Sequence, residues 1–252
     1  ETADEPTIAS NMTAYEKLAG IADYFLVHNR DILIQNDDSI VRVIDDHPVV
    51  MRRARGYVPR PLELGEIANG VPDILAVGAE EKGTVCFIKK GRAFLSQHLG
   101  DLKNTESVLS FERTVEHLER LLKIEPQMVA RDLHPAYFST KYALARQLLT
   151  FSVQHHHAHI AACLAENGVR EKVIGISFDG AGLGMDGRAW GGEFLLADLA
   201  DFERAGRLKY VHLPGGDMAA REPYRMAISY LYRAFGDDAE KVACQILQDV
   251  PE

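Results

Sequence analysis

His155 and His159 stand four residues apart within VQHHHAHIAACLAENG, and paired imidazole nitrogens at such spacing are what a divalent cation takes from a protein. On an α-helix, positions i and i+4 share a face one turn apart. A helix carrying Ile160, Ala161 and Leu164 on its apolar side therefore offers both rings to one ion. Asn167-Gly168 is a stop signal, because glycine accepts the left-handed conformation that closes a last turn. The apolar run Val173 to Phe178 then reads as a buried strand that delivers Asp179 at its carboxyl end as an oxygen ligand. Two nitrogens and a carboxylate suit zinc or iron. His156 and His157 fall elsewhere round the helix, which makes one of them a supporting contact and not a ligand.

The loop Asp179-Gly-Ala-Gly-Leu-Gly has the glycine spacing of a dinucleotide fingerprint, but that fingerprint needs a helix after it. Here Arg188-Ala-Trp-Gly-Gly-Glu-Phe-Leu-Leu follows, a strand pattern. Glycines in a hairpin let backbone amides close on an anion, forming a nest for a nucleotide phosphate; a plain tight turn is the alternative. Met51-Arg-Arg-Ala-Arg gathers three arginines in an acidic chain. On a strand, Arg53 and Arg55 would face one way and could hold a phosphate or carboxylate, whereas a bare charge run is a solvated face.

Residues 1–61 hold a helix around Ala14 to Ala19 and two short strands, Ile40 to Ile44 and Val49 to Arg53, about the turn-rich Asp45-Asp46-His47-Pro48. That is too little apolar surface for an independent core, so this part is expected to be the end of a larger domain. Residues 62–72 form a linker. Residues 73–252 open on a strand-turn-strand meander, ILAVGA, TVCFIKK and RAFLSQ, followed by a helix capped by Thr105 with Val108, Phe111, Val115, Leu118, Leu121 and Leu122 on its apolar face. MVARD is a strand and Thr140 to Leu149 a second helix. VIGISFDG through WGGEFLLADL then repeats the opening rhythm, and Pro223 to Phe235 and Asp238 to Leu247 are helical by pattern. A domain that starts twice in this way, meander then helices, describes a mixed α/β fold of the two-lobed, actin-like ATPase kind.

The bulk properties exclude several classes. With 252 residues, 46% apolar and 26% charged, the chain is globular, and a net charge of -9 argues against a nucleic-acid module that works by neutralising phosphates. Cys86, Cys163 and Cys244 are far apart and form no CxxC pair, so neither a disulfide framework nor a zinc knuckle is expected, and a reducing cytoplasm fits. No apolar run is long enough to span a membrane. The opening ETADEPTIAS has no signal-peptide pattern and no initiator methionine, so a fragment is expected.

The segments VGAEEKGTVCF, RAFLSQHLGDL, DLHPAYFST, VQHHHAHIAACLAENG, FDGAGLGMDGRAWGGEF and LPGGDMAAREPYRMA resemble the HypF family, the carbamoyltransferases of nickel-iron hydrogenase maturation. NDDSIVRV with RRARGYVPRP resembles the end of that family's YrdC-like α/β domain, and the likeness covers essentially the whole chain. The resemblance implies that the YrdC-like domain makes carbamoyl adenylate from ATP and carbamoyl phosphate. It also implies that a TsaD-related actin-like domain passes the carbamoyl group to the C-terminal cysteine of HypE, where dehydration yields cyanide. It implies that His155, His159 and Asp179 are metal ligands, that Gly180, Gly182 and Gly184 belong to the carbamoyl-adenylate site, and that Gly215, Gly216 and Asp217 form a second substrate loop. Ser39 and Arg53 match the spacing of two nucleotide contacts in YrdC-type domains. A further metal-binding aspartate is implied beyond residue 252, and the earlier YrdC-like elements are absent, so the chain alone is expected not to complete the reaction from ATP and carbamoyl phosphate. Two other readings stand beside it: a subunit of a tRNA threonylcarbamoyladenosine synthase, proteins that share the histidine pair and the cleft, and a non-catalytic module that binds nucleotide or partner.

Overall fold

The computed structural model describes residues 6–216 and 218–246. The chain divides into two compact units, Glu1–His155 with Ala165–Val169, and His156–Leu164 with Arg170–Glu252.

The first unit begins with α1 (Asn11–Leu18) and a hairpin of β1 (Ile40–Ile44) and β2 (His47–Arg52). Asp45 and Asp46 both take left-handed φ, 49° and 61°, the turn geometry whose twist matches the flanking antiparallel strands. Next come β3 (Leu62–Glu63), β4 (Ile74–Ala76), β5 (Cys86–Lys89), β6 (Arg92–Leu95), α2 (Thr105–Leu122), β7 (Met128–Asp132), α3 (Phe138–Ala145) and β8 (Leu149–Val153). They build one sheet in the order β3-β6-β5-β4-β7-β8. The meander β4-β5-β6 is antiparallel, and β7 and β8 continue from β4 in parallel. Leu75, Val77, Val85, Phe87 and Val129 from the sheet side pack with Phe111, Val115 and Leu118 of α2 in a single apolar cluster. Phe111 meets the rings of Phe138 and Tyr142 edge-on, with centroids 5.7 Å and 5.1 Å away, which ties α2 to α3.

The second unit takes up α4 (His155–Glu166) after its first residue, then β9 (Val173–Leu183), β10 (Ala189–Ala197), β11 (Phe202–Arg207), α5 (Met218–Arg221), α6 (Pro223–Phe235) and α7 (Ala239–Ile246). Its sheet runs β11-β10-β9, antiparallel throughout, the same order in which β6-β5-β4 open the first unit. The motif does start twice, as the actin-like architecture requires.

Three local features differ from the sequence expectation. The cap of α2 is Asn104, not Thr105: the Asn104 side chain accepts from the Ser107 amide at 2.8 Å, and Thr105 is the first helical residue. Helix α3 ends at Ala145 because Gln147 takes a left-handed φ of 55°, and Leu149–Val153 then pairs residue for residue with β7, so tertiary pairing overrides the helical pattern. Strand β9 does not stop at Phe178. Its pairing with β10 runs on to Leu183, which places Asp179 inside the strand and not at its end.

In the second unit Glu193 and Arg204 form a buried ion pair. Glu193 on β10 is 2% exposed and accepts from Arg204 Nε on β11 at 2.6 Å, while the guanidinium lies 3.7 Å from the Trp190 ring centroid and donates from Nη1 to the Tyr210 hydroxyl at 3.0 Å. Arg204 of β11 thus grips β10 through one planar group. Removing one partner of such a pair strands the other charge, so Glu193→Ala is expected to destabilise this unit by about 3–5 kcal/mol. Urea unfolding followed by the single tryptophan, Trp190, measures it. An unchanged midpoint would show that the pair contributes nothing to stability.

Candidate metal centre

Helix α4 and strand β9 aim the site. Alternation along β9 sends Ile174, Ile176 and Phe178 to the exposed side and Gly175, Ser177 and Asp179 to the other, where Ile160 of α4 lies against Gly175. On α4, His156, His157, Ile160 and Leu164 are buried, which leaves His155 and His159 on the flank beside Asp179. Donor atoms of His155, His159 and Asp179 all lie within 4.8 Å of one another.

The hydrogen-bond pattern assigns each ring. His155 Nδ1 donates to Asp132 Oδ2 at 2.7 Å, so Nε2 is the nitrogen that could meet a cation. His159 Nε2 stands 3.7 Å from Asp179 Oδ2. That is too long for a hydrogen bond, but close to the roughly 3.4 Å between two donors each about 2.0–2.1 Å from a tetrahedral ion. The residues therefore fit a divalent cation in donor type and in spacing. His156, fully buried, donates from Nε2 to Asp179 Oδ1 at 3.1 Å and so holds the carboxylate. His157 donates from Nε2 to the Asp198 carbonyl at 2.8 Å with its ring 5.0 Å from Phe202, a packing role away from the site. Side-chain exposure is 15% for His155, 17% for Asp179 and 57% for His159, so the cluster opens on the His159 side, where solvent or substrate would complete the coordination.

Two contributors escaped the sequence reading. Asp132, the last residue of β7, is one. Gly191 on β10 is the other: a Cβ there would sit 3.1 Å from the Asp179 carbonyl oxygen and 3.4 Å from that of Gly180, so the missing side chain lets β10 pass directly behind the ligand. A WGGEF strand shows no outward sign of which glycine is needed, or for what.

The glycine loop has a different form from the expected nest. Gly180 and Gly182 are extended within β9, and of the glycines from 180 to 187 only Gly187 takes a left-handed φ, at 73°. Gly184 instead makes room for an indole, since a Cβ there would lie 2.0 Å from Trp190 Nε1. Asp186 closes the turn by accepting from the Arg188 amide, Trp190 Nε1 and the Tyr210 hydroxyl at 3.1 Å, 2.8 Å and 2.8 Å. Burial opposes its ionisation, but those donors and the Arg204 charge prevail and hold its pKa at about 2, below the ordinary 3.8. Gly215 and Gly216 are both left-handed, with φ 80° and 60°, ahead of the short α5; Asp217 lies outside the described residues.

In the first unit, Arg53 and Arg55 go to different partners and do not point together. The Ser39 hydroxyl accepts from the Ala54 amide at 2.8 Å and donates to the Arg55 carbonyl at 2.9 Å. Arg53 lies over Tyr57, 5.6 Å from the ring centroid, whereas Arg55 pairs with Asp38 at 3.4 Å and reaches the Asn36 carbonyl. Strand β2 ends at Arg52, so strand alternation no longer aligns residues 53 and 55. Burial pushes the Cys86 thiol up to about 12, against a smaller opposing effect of the Phe94 backbone, so it stays protonated at neutral pH. Among the described residues no helix is long and apolar enough to cross a membrane.

Comparison with known proteins places these features in a family. Residues 69–166 match the model of the HypF Kae1-like domain, and residues 175–250 match that of the carbamoyltransferase Kae1-like domain, second subdomain. The chain is 50% identical over 235 residues to carbamoyltransferase HypF2 of Cupriavidus necator, covering 90% of this chain and 29% of that one. It is 44% identical over 237 residues to carbamoyltransferase HypF of a Synechocystis species, covering 94% and 31%. The crystal structure of full-length HypF in its phosphate- and nucleotide-bound form superposes with a TM-score of 0.86 at 41% identity, covering 98% of this chain and 33% of that one. HypF of T. kodakarensis gives 0.83 at 38% identity, covering 94% and 31%. The chain thus spans about a third of the length of these relatives.

Two outcomes are expected. His155→Ala and His159→Ala should each lower bound zinc or iron strongly, and His157→Ala only modestly, by elemental analysis of the dialysed protein; equal metal in wild type and the double variant would refute the site. Because the folded pKa of Asp186 is depressed, its contribution is complete above pH 4 and is lost as the pH falls toward 2. Trp190 fluorescence should therefore shift over that interval in wild type and not in Asp186→Asn.

Proposed function

The chain belongs to the HypF carbamoyltransferase family, and on that premise we propose that it carries the metal-dependent transfer site of a carbamoyltransferase of nickel-iron hydrogenase maturation. The observation that carries the reading is the convergence of His155, His159 and Asp179 within 4.8 Å, on a helix and strand of the matched Kae1-like subdomains. The donor is carbamoyl adenylate, formed from ATP and carbamoyl phosphate, and the acceptor is the C-terminal cysteine thiol of HypE. Transfer breaks the bond between the carbamoyl carbon and the phosphate oxygen, forms a carbon–sulfur bond, and releases AMP as the thiol gives up its proton.

His155, His159 and Asp179 would hold a zinc or iron ion, which when bound supplies Lewis acidity toward the carbamoyl carbonyl. The exposed His159 side leaves room for the carbonyl oxygen to approach. Gly180 and Gly182 present a strand without side chains to the adenylate, and the paired left-handed Gly215 and Gly216 shape a second backbone contact. Ser39 and Arg53 are the proposed remnant of the YrdC-like nucleotide contact, and a reducing cytoplasm is the proposed compartment.

Separate half-reactions test this in the full-length protein that carries the sequence. His159→Ala should abolish carbamoylation of the HypE cysteine, read by mass spectrometry, while carbamoyl-phosphate-dependent exchange of pyrophosphate into ATP continues. Full cysteine carbamoylation by the variant would overturn the assignment.

A further inference from the structure

We propose that Asp132 is a positioning residue that selects the tautomer of His155 and thereby keeps its Nε2 available to a metal ion. The proposal deepens the metal-site reading and rests on it. Asp132 is 8% exposed and ends β7, whose parallel register with β8 sets it opposite Val153, two residues ahead of His155. Both carboxylate oxygens are engaged. Oδ1 accepts from the His134 amide at 2.8 Å, and Oδ2 accepts from His155 Nδ1 at 2.7 Å. Its backbone is held as well, the carbonyl accepting from Arg131 Nη1 at 2.9 Å and from Thr140 Oγ1 at 3.4 Å.

A carboxylate clamped this way can only accept. It therefore places the imidazole proton on Nδ1, aims the lone pair of Nε2 outward, and raises the basicity of that nitrogen. His159, 57% exposed, lacks such burial, so His155 is the anchored ligand and His159 the adaptable one.

Asp132→Asn separates positioning from mere packing, because it preserves shape. With its oxygen toward the His134 amide, the new NH2 donates to His155 Nδ1 and forces the proton onto Nε2, where it blocks the metal. Flipped, the amide faces the His134 N–H donor to donor and loses that bond instead. The test uses zinc with the chain and two readouts. Long-range nitrogen–proton NMR of the metal-free protein should show His155 protonated at Nδ1 in wild type and at Nε2 in Asp132→Asn. Competition with a chromophoric chelator should show zinc affinity lowered by about 10–100-fold in the variant, as is typical of lost carboxylate partners. Unchanged affinity in a folded variant overturns the proposal. So does an Nε2-protonated His155 in wild type, a result that needs no variant to fold. If wild type binds no zinc, the metal reading fails, and the tautomer measurement still decides whether Asp132 sets the ring.

Discussion

Helix α4 can lie against strand β9 because residue 175 has no side chain: a Cβ there would fall 2.3 Å from Ile160 Cδ1 and 2.7 Å from its Cγ1. Everything chemical in the second unit follows from that approach. Once Ile160 sits over Gly175, the helical repeat turns His156 inward to Asp179 and leaves His159 on the flank, while strand alternation carries Asp179 to the same side four residues further on. A larger residue at 175 would lift the helix away from the sheet and open the spacing of the ligand atoms without touching any of them.

The hairpin beyond the ligand is held by a second set of constraints. Gly184 admits the Trp190 ring, Asp186 ties that ring's N–H to the turn, and Arg204 covers its face while pairing with buried Glu193. Glu193, Asp186, Trp190, Arg204 and Tyr210 bond to one another, so the turn is fixed by its own contacts, although Arg204 Nη2 has no hydrogen-bond partner among the described residues. Gly191 then brings β10 close behind Asp179, so the carboxylate is framed by His156 on one side and backbone on the other.

The legible part of this site is the part whose geometry is local. Four-residue spacing and an apolar run ending in an acid led directly to His155, His159 and Asp179, and the doubled strand-turn-strand rhythm led to the repeated meander. Asp132 was hidden because it stands 23 residues before the ring it orients, and only the register of β7 with β8 joins them. Strand β8 was hidden because its Leu-rich start continues a helical pattern; the chain turns at Gln147 to gain parallel pairing. For the arginine cluster the solvated face, one of the two readings, agrees with the 68% exposed Arg55 side chain, and the aligned-strand reading does not hold. Alternation was assumed past the true end of β2, and Arg53 and Arg55 in fact go to Tyr57 and Asp38.

Anomalous X-ray diffraction from crystals of the zinc- or iron-loaded chain, collected across the metal's absorption edge, tests the central claim most directly. The account predicts one dominant peak about 2.0–2.2 Å from His155 Nε2, His159 Nε2 and an Asp179 carboxylate oxygen, with the His155–Asp132 hydrogen bond intact. A peak bound through His155 Nδ1, or one that leaves out His155 and His159, would contradict it.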